Sequence, residues 1–207
     1  VAGVDEAGRG PIAGPVVAAS VILPRNCSVS GLNDSKKIAA KKRNDLYQVI
    51  LEKAVAWSVV FEHSAAIDLL NILQASLRAM ARSVLRLNPL PHAVLVDGSQ
   101  LIPLESGLNI TQESIVRGDG TSSSIAAASI IAKVSRDRQM EAYDLIYPGY
   151  GFAQHKGYGT KMHREALSRL GLTPIHRKSF SPVSEMELAC KRYQDPLASD
   201  DPAKLFE

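Results

Sequence analysis

Residues 70–87 constrain the fold most. Leu70, Leu73, Leu77, Met80, Val84 and Leu87 recur at alternating spacings of three and four, which gathers them on one face of a helix over residues 65–87. An apolar stripe of that length has to be covered, and the β-rich segments around it supply a sheet to cover it. Asn88-Pro89-Leu90-Pro91 ends the helix.

Val1–Asp5 and Pro15–Leu23 read as the strands of a hairpin, being β-branched runs bounded by Gly and Pro. A loop follows between Pro24 and Lys37, then a helix from Ala39 to about Lys53 and a strand over Val55–Glu62. Beyond the long helix, His92–Val96 reads as a short buried strand, and Asn109–Arg117 as a strand or strand pair ending on Gly118-Asp119-Gly120. Residues 122–143 form a helix whose Ala126, Ala127, Ala128, Ser129 and Ala132 allow close approach to a sheet. Tyr147–Gly159 reads as a Gly- and Tyr-rich loop. Thr160 is an N-cap and Gly171 a C-cap for a helix to Leu170, and Ser184–Tyr193 is a final helix. The alternation predicts an α/β fold with a mixed sheet, one domain over 1–194 and an acidic, flexible tail over 195–207. Val1 falls inside a strand pattern, so the natural chain is expected to begin a few residues earlier.

The composition, 45% hydrophobic and 22% charged, is that of a globular chain. No apolar run approaches the roughly 18 residues of a membrane helix, so no membrane association is expected. Cys27 and Cys190 match no CxxC or zinc spacing, and the five dispersed histidines form no ligand spacing. A reducing cytoplasm and free thiols are the expectation. The tail holds four acids against one lysine, so the formal +3 of the chain divides into −3 there and +6 on residues 1–194. The basic residues gather at Lys36, Lys37, Lys41, Lys42 and Arg43, at Lys133, Arg136 and Arg138, and at Arg177 with Lys178. They suit a polyanionic partner, or equally solvated helix faces.

Four carboxylates share one description. Asp5, Glu6, Asp97 and Asp119 each stand at the end of an apolar strand segment close to glycine. Neighbouring strand residues point to opposite faces, so Asp5 and Glu6 serve one site only if the chain curls just after them, as Gly8 and Gly10 permit. Taken alone, Asp5-Glu6 is also what a solvated acidic hairpin looks like. Four converging carboxylates would repel one another and raise their pKa values. Two divalent cations remove that repulsion, all-oxygen donors suit Mg²⁺ or Mn²⁺, and a metal pair about 3.5–4 Å apart suits in-line phosphoryl displacement.

The motifs, in order, are Val4-Asp5-Glu6-Ala7-Gly8-Arg9-Gly10-Pro11, Leu32-Asn33-Asp34-Ser35-Lys36, Val96-Asp97-Gly98, Gly118-Asp119, the run from Ser124 to Arg138, His155-Lys156-Gly157-Tyr158-Gly159-Thr160 and His176-Arg177-Lys178-Ser179-Phe180-Ser181-Pro182-Val183. Spanning Val4 to Val183, this set resembles bacterial ribonuclease HII, the type 2 ribonuclease H family. The resemblance implies a ribonuclease H-like mixed central sheet flanked by helices, with a helical C-terminal extension. It implies a metal-dependent endoribonuclease with two divalent cations, Mg²⁺ or Mn²⁺, held by Asp5, Glu6, Asp97 and Asp119. Its substrates would be RNA–DNA hybrids and duplex DNA containing ribonucleotides, cut 5′ to the ribonucleotide by an activated water to leave 5′-phosphate and 3′-hydroxyl ends. The protein would act as a monomer.

By the same resemblance Gly8, Arg9, Gly10 and Tyr158 recognise the ribose 2′-hydroxyl, the group that marks RNA in a duplex. Ser35 and Lys36 lie along the phosphate backbone, with Lys133 and Arg136 as further phosphate contacts. On residue chemistry alone Arg9 could only pair with a nearby acid, and Tyr158 could only cap the core. Asp137 rivals Asp119 for the fourth carboxylate, although its setting between Arg136 and Arg138 reads better as an ion pair. His176 and Arg177 have no role that residue chemistry assigns. Gly120 follows Asp119 where the family often has alanine, and the tail matches nothing in the family. Two rival functions remain: another two-metal enzyme such as a DNA nuclease, which has no need of Gly8-Arg9-Gly10 and Tyr158, and a non-catalytic hybrid-binding module, which has no need of four carboxylates.

Overall fold

The structure is a computed structural model that describes residues 1–25, 27, 31–32 and 39–194, with side chains through Leu188. Its centre is β1 (Ala2–Ala7), flanked on one side by antiparallel β2 (Val16–Ile22) and on the other by parallel β4 (Ala93–Asp97). β3 (Ala56–Glu62) extends the sheet beyond β2, and β5 (Thr111–Ile115) pairs in parallel with β4, giving the order β3-β2-β1-β4-β5. β2 is buried along its whole length and β1 over its first four residues, which is why β2, apart from Ser20, and β1 up to Asp5 read as apolar runs.

Helices cover both faces. Helix α1 spans Ala40–Lys53, and the apolar stripe forms α2 (Ser64–Leu70) and α3 (Ile72–Leu85). One helix was predicted over 65–87; the chain breaks it at Asn71, whose φ is +67° and whose side chain accepts the Gln74 N–H at 3.1 Å. Asparagine tolerates the left-handed region and caps helices well, so it ends one helix and starts the next. α3 lies on the sheet face that carries Val4, Ala18, Val60, Val94 and Val96.

The opposite face carries Ala19 and Val21 and is covered by α1 and by α4 (Ser123–Ile146). α4 comes close because Gly3 has no side chain: a Cβ there would collide with the backbone of Ser124 and Ile125. The Ala126–Ala128 run then packs directly on β1 and β2. This approach sets the small-residue helix over the acidic end of β1.

The rest of the chain packs against the far half of α4. The segment 8–15, α5 (Phe152–His155), α6 (Lys161–Leu170) and α7 (Val183–Gln194) follow, with a core of Ile12, Ala13, Met140, Tyr150, Phe152, Leu167, Ile175 and Val183. α5 lies inside the stretch expected to be loop. It is only one turn long, between Gly151 at φ +80° and Lys156 at φ +51°, too short to show as a helical period. Thr160 caps α6 by accepting the His163 N–H, as expected. Asp119 sits on a 3₁₀ turn, Gly118–Gly120, rather than on a strand end. Among the described residues no helix is long and apolar enough to cross a membrane. Ser35, Lys36 and the tail 195–207 lie outside the described residues.

Candidate active site

The parallel register of β1 and β4 ends at Val4 opposite Val96, so Asp5 and Asp97 follow side by side on the face beneath α4. Glu6 alternates to the other side of the strand, yet it lines the same cavity as Asp5 and Asp97. The strands part at this point, and β1 turns off at Gly8, whose φ is +96°. The expected curl therefore begins two residues after Glu6. The cavity holds about 380 Å³ and is lined also by Ala7, Gly8, Arg43, Ser129, Ile130, Lys133, Arg136 and Tyr158.

Each acid is already engaged with the protein. Asp5 is 4% exposed, and one of its oxygens accepts the Glu6 N–H at 2.7 Å. Burial, then the Glu6 and Asp97 charges, push the Asp5 carboxyl well above the usual carboxylate range, while the Ser129 hydroxyl on α4 holds it down. Burial also raises Glu6. The Arg9 guanidinium, 3.4 Å away, counters that rise, and Asp97 adds to it. Asp97 accepts the Gly118 N–H at 2.7 Å, which ties β4 to the Gly118–Gly120 turn. Asp119 is buried on that turn, one residue beyond the Asp97 contact, and is not among the residues lining the cavity.

The basic residues divide. Lys133 lines the cavity and donates to Asp137 at 2.7 Å, with Arg43 3.9 Å from the other Asp137 oxygen, so Asp137 stands in an ion-pair network at the rim. Arg136, expected on the phosphate path, is instead 1% exposed. Its guanidinium donates to the carbonyls of Pro15, Lys156 and Ala13 at 3.0, 2.9 and 3.2 Å. A fork with five donors is well suited to buried carbonyls, and burial lowers its pKa only to about 10, so it stays charged at neutral pH. It supports the site from beneath.

Tyr158 is about half exposed and lines the cavity, and a Cβ on Gly10 would lie 3.6 Å from its ring. The segments 8–10 and 157–159, distant in sequence, thus meet beside the carboxylates. They are joined by the Ile12 N–H, which donates to the Gly157 carbonyl at 3.0 Å. Three histidines that look dispersed in the sequence also meet. His155 and His163 stack at 4.3 Å, and His163 and His176 share a 3.0 Å hydrogen bond. They line no cavity with the acids and form no metal cage among the described residues. Ser129 and Arg43 are the polar cavity residues not singled out for the site from the sequence. Ser129 follows directly on the Ala126–Ala128 run that packs on the sheet, which is the signal that would have found it.

Ribonuclease H2 from Pyrococcus horikoshii has the same fold: the TM-score is 0.79, with 25% identity over 92% of this chain and 98% of that one. A ribonuclease HII of Endomicrobium trichonymphae is 53% identical over 90% of this chain and 87% of its own length, and one of Enterococcus faecalis 52% over 90% and 71%. The fold and these likenesses define a hydrolase, a type 2 ribonuclease H endoribonuclease. The family model for Ribonuclease HII matches residues 2–183, and the chain belongs to that family.

Proposed function

We propose that the protein hydrolyses the RNA strand of RNA–DNA hybrids and incises 5′ to ribonucleotides embedded in duplex DNA, leaving 5′-phosphate and 3′-hydroxyl ends. The observation that carries this reading is the shared cavity: Asp5, Glu6 and Asp97 line it together with Tyr158, beside Gly8. Groups suited to phosphate chemistry and groups suited to reading a ribose stand within one opening.

The donor set fits hard divalent cations. Among the described residues no three acids, histidines or cysteines close into a cage, and Mg²⁺ asks for none, since it keeps several waters and takes substrate phosphates as ligands. Burial and mutual repulsion raise Asp5 and Glu6, so the site gains from positive charge. Asp5, Glu6 and Asp97, with Asp119 from the adjoining turn, would hold two such ions, Mg²⁺ or Mn²⁺. When bound, they would neutralise charge on the scissile phosphate and make water a competent nucleophile.

The protein's own groups supply selectivity. Tyr158 presents its ring beside Gly10, where the absence of a side chain lets a ribose approach the backbone. Arg9 is half exposed and pairs only loosely with Glu6, leaving it able to turn to substrate. Lys133 and Arg43 offer charge to the phosphate backbone at the rim, and the family resemblance adds Ser35 and Lys36 as phosphate contacts. Residues 1–194 would work as one catalytic unit, a monomer in the cytoplasm.

The test is digestion of an end-labelled DNA duplex containing one ribonucleotide, with product ends mapped. A single cut 5′ to the ribonucleotide, absent from the all-DNA duplex, is expected. Equal cutting of both duplexes would make the protein a general nuclease and overturn the proposal.

A further inference from the structure

His176 and Arg177 are among the most deeply buried polar residues of the chain, 2% and 0% exposed, and the proposed chemistry uses neither. Each reaches one of the two segments that meet at the cavity. Arg177 donates through Nη2 to the Gly8 carbonyl at 2.6 Å, through Nη1 to that of Arg9 at 2.9 Å and through Nε to that of Gly14 at 3.0 Å. Its own N–H donates to the Ile12 carbonyl at 2.9 Å. The inner side of the Gly8–Gly14 segment is thereby pinned at four carbonyls. Among the described residues no hydrogen bond engages the N–H groups of Arg9 or Gly10, so the pinned backbone keeps those donors for the exposed side.

His176 works through a chain whose proton positions follow from its contacts. The Thr173 N–H and hydroxyl both lie 2.9 Å from His176 Nδ1. An N–H cannot face a second N–H, so Nδ1 is the acceptor and the ring proton sits on Nε2. That proton is donated to His163 Nε2 at 3.0 Å, which leaves the His163 proton on Nδ1, directed at the Tyr158 carbonyl at 3.0 Å. Burial supports this arrangement by keeping both rings neutral. The relay runs in one direction, from Thr173 through His176 and His163 to the backbone of Tyr158.

We infer that Arg177 and the His176–His163 pair are positioning residues for ribose recognition, Arg177 fixing the Gly8–Gly10 backbone and the histidine pair fixing Tyr158. The two are adjacent in sequence, so one short buried segment sets both halves of the ribose site in mutual register. This rests on the reading of Gly8–Gly10 and Tyr158 as the elements that recognise the 2′-hydroxyl.

The test compares single-turnover cleavage of a duplex with one embedded ribonucleotide, in Mg²⁺ or Mn²⁺, with affinity for an all-DNA duplex of the same sequence. Arg177→Lys, which keeps the charge but not the three-way fork, and His163→Leu are expected to slow cleavage about tenfold or more, with affinity kept within about twofold. His163→Asn, whose amide donates from nearly the position of Nδ1, should retain most of the rate. The double variant His163→Leu/Tyr158→Ala should be no slower than Tyr158→Ala, because His163 acts through Tyr158. Multiplying losses in the double variant, or rate and affinity falling together, would overturn the inference. If His163→Leu does not fold, Arg177→Lys decides, and a wild-type rate there overturns it. A Tyr158→Ala enzyme that cuts at the wild-type rate would instead sink the reading of Tyr158 as the ribose contact.

Discussion

Gly8→Ala should be far more damaging than its size suggests. Two costs add at this position. Gly8 has φ +96°, a conformation that costs a side-chain-bearing residue about 1–2 kcal/mol. A Cβ there would also fall on Cδ and Nε of Arg136, the guanidinium that satisfies the Ala13, Pro15 and Lys156 carbonyls. Moving that fork far enough to admit a methyl loses one charge-assisted hydrogen bond, at about 1.5–3 kcal/mol. The total is about 3–5 kcal/mol, a large share of the roughly 5–15 kcal/mol that holds a domain folded. Gly98 provides the control. Its φ is +113°, but nothing lies within 4 Å of the Cβ it would carry, so Gly98→Ala should cost only the backbone strain of about 1–2 kcal/mol. With a urea m-value of about 2–3 kcal/mol/M, the two unfolding midpoints should differ by about 1 M. Coincident midpoints would show that Arg136 yields freely, and the buried arginine would then not be the rigid support described above.

Asp5→Asn, Glu6→Gln and Asp97→Asn should each abolish most turnover, and without divalent ions Asp5→Asn should raise stability, read as a higher Tm, because it removes a buried repelling charge. Asp119→Asn should also impair turnover severely; a folded Asp137→Asn more impaired than Asp119→Asn would move the fourth carboxylate to Asp137. Removing Lys36 should lower the slope of log affinity against log salt by about one unit, and an unchanged slope would place it off the nucleic acid. Burial lowers His163 and His176 to about 4, so the unfolded chain binds their protons first and stability should fall as pH drops from about 6.5 to about 4, by about 3 kcal/mol for the first proton. Asp5 and Glu6 act in the opposite sense, so the difference between wild type and His163→Asn across that window, followed by urea unfolding, isolates the histidines. Tyr158→Ala should slow cleavage at a single ribonucleotide by one to two decades, about 1–3 kcal/mol, with DNA affinity retained.

The sheet and its helices were legible because burial imposes periods on a sequence. β2 is apolar except for Ser20 since both faces are covered, and the Leu70–Leu87 stripe records a helix lying on β1–β3. The break at Asn71 was hidden because an apolar stripe can run across two helices that share one supporting face. Asp5, Glu6 and Asp97 could be picked out because charges at the ends of buried strands stand against an apolar background. The inward turn of Arg136 could not: its partners are carbonyls of residues 13, 15 and 156, and a backbone acceptor leaves no mark in side-chain chemistry. The same holds for His163 and His176, whose contact is set by how α6 returns on the chain, not by spacing.

The buried cations explain why the Gly8–Gly14 loop, proposed to read the ribose, can be held so firmly without a helix or a strand beneath it. A backbone that keeps N–H groups for a ligand turns carbonyls inward, where unpaired acceptors are costly. Water in that position would satisfy them but leave the loop free to shift. Two guanidiniums satisfy six carbonyls there, those of Gly8, Arg9 and Gly14 by Arg177 and those of Ala13, Pro15 and Lys156 by Arg136. The forks are planar and fixed in geometry, so the carbonyls are fixed as well. Burying two cations to which no carboxylate among the described residues is bonded is unfavourable on its own. The carbonyl dipoles offset part of that cost, and Asp68 and the Phe180 ring, 5.1 Å beneath the Arg177 guanidinium, offset more. A fold seeking only stability would gain by filling this space with apolar side chains. Retaining two buried arginines is the expected solution where a loop must hold one shape in water while its outer face stays open to a nucleic acid.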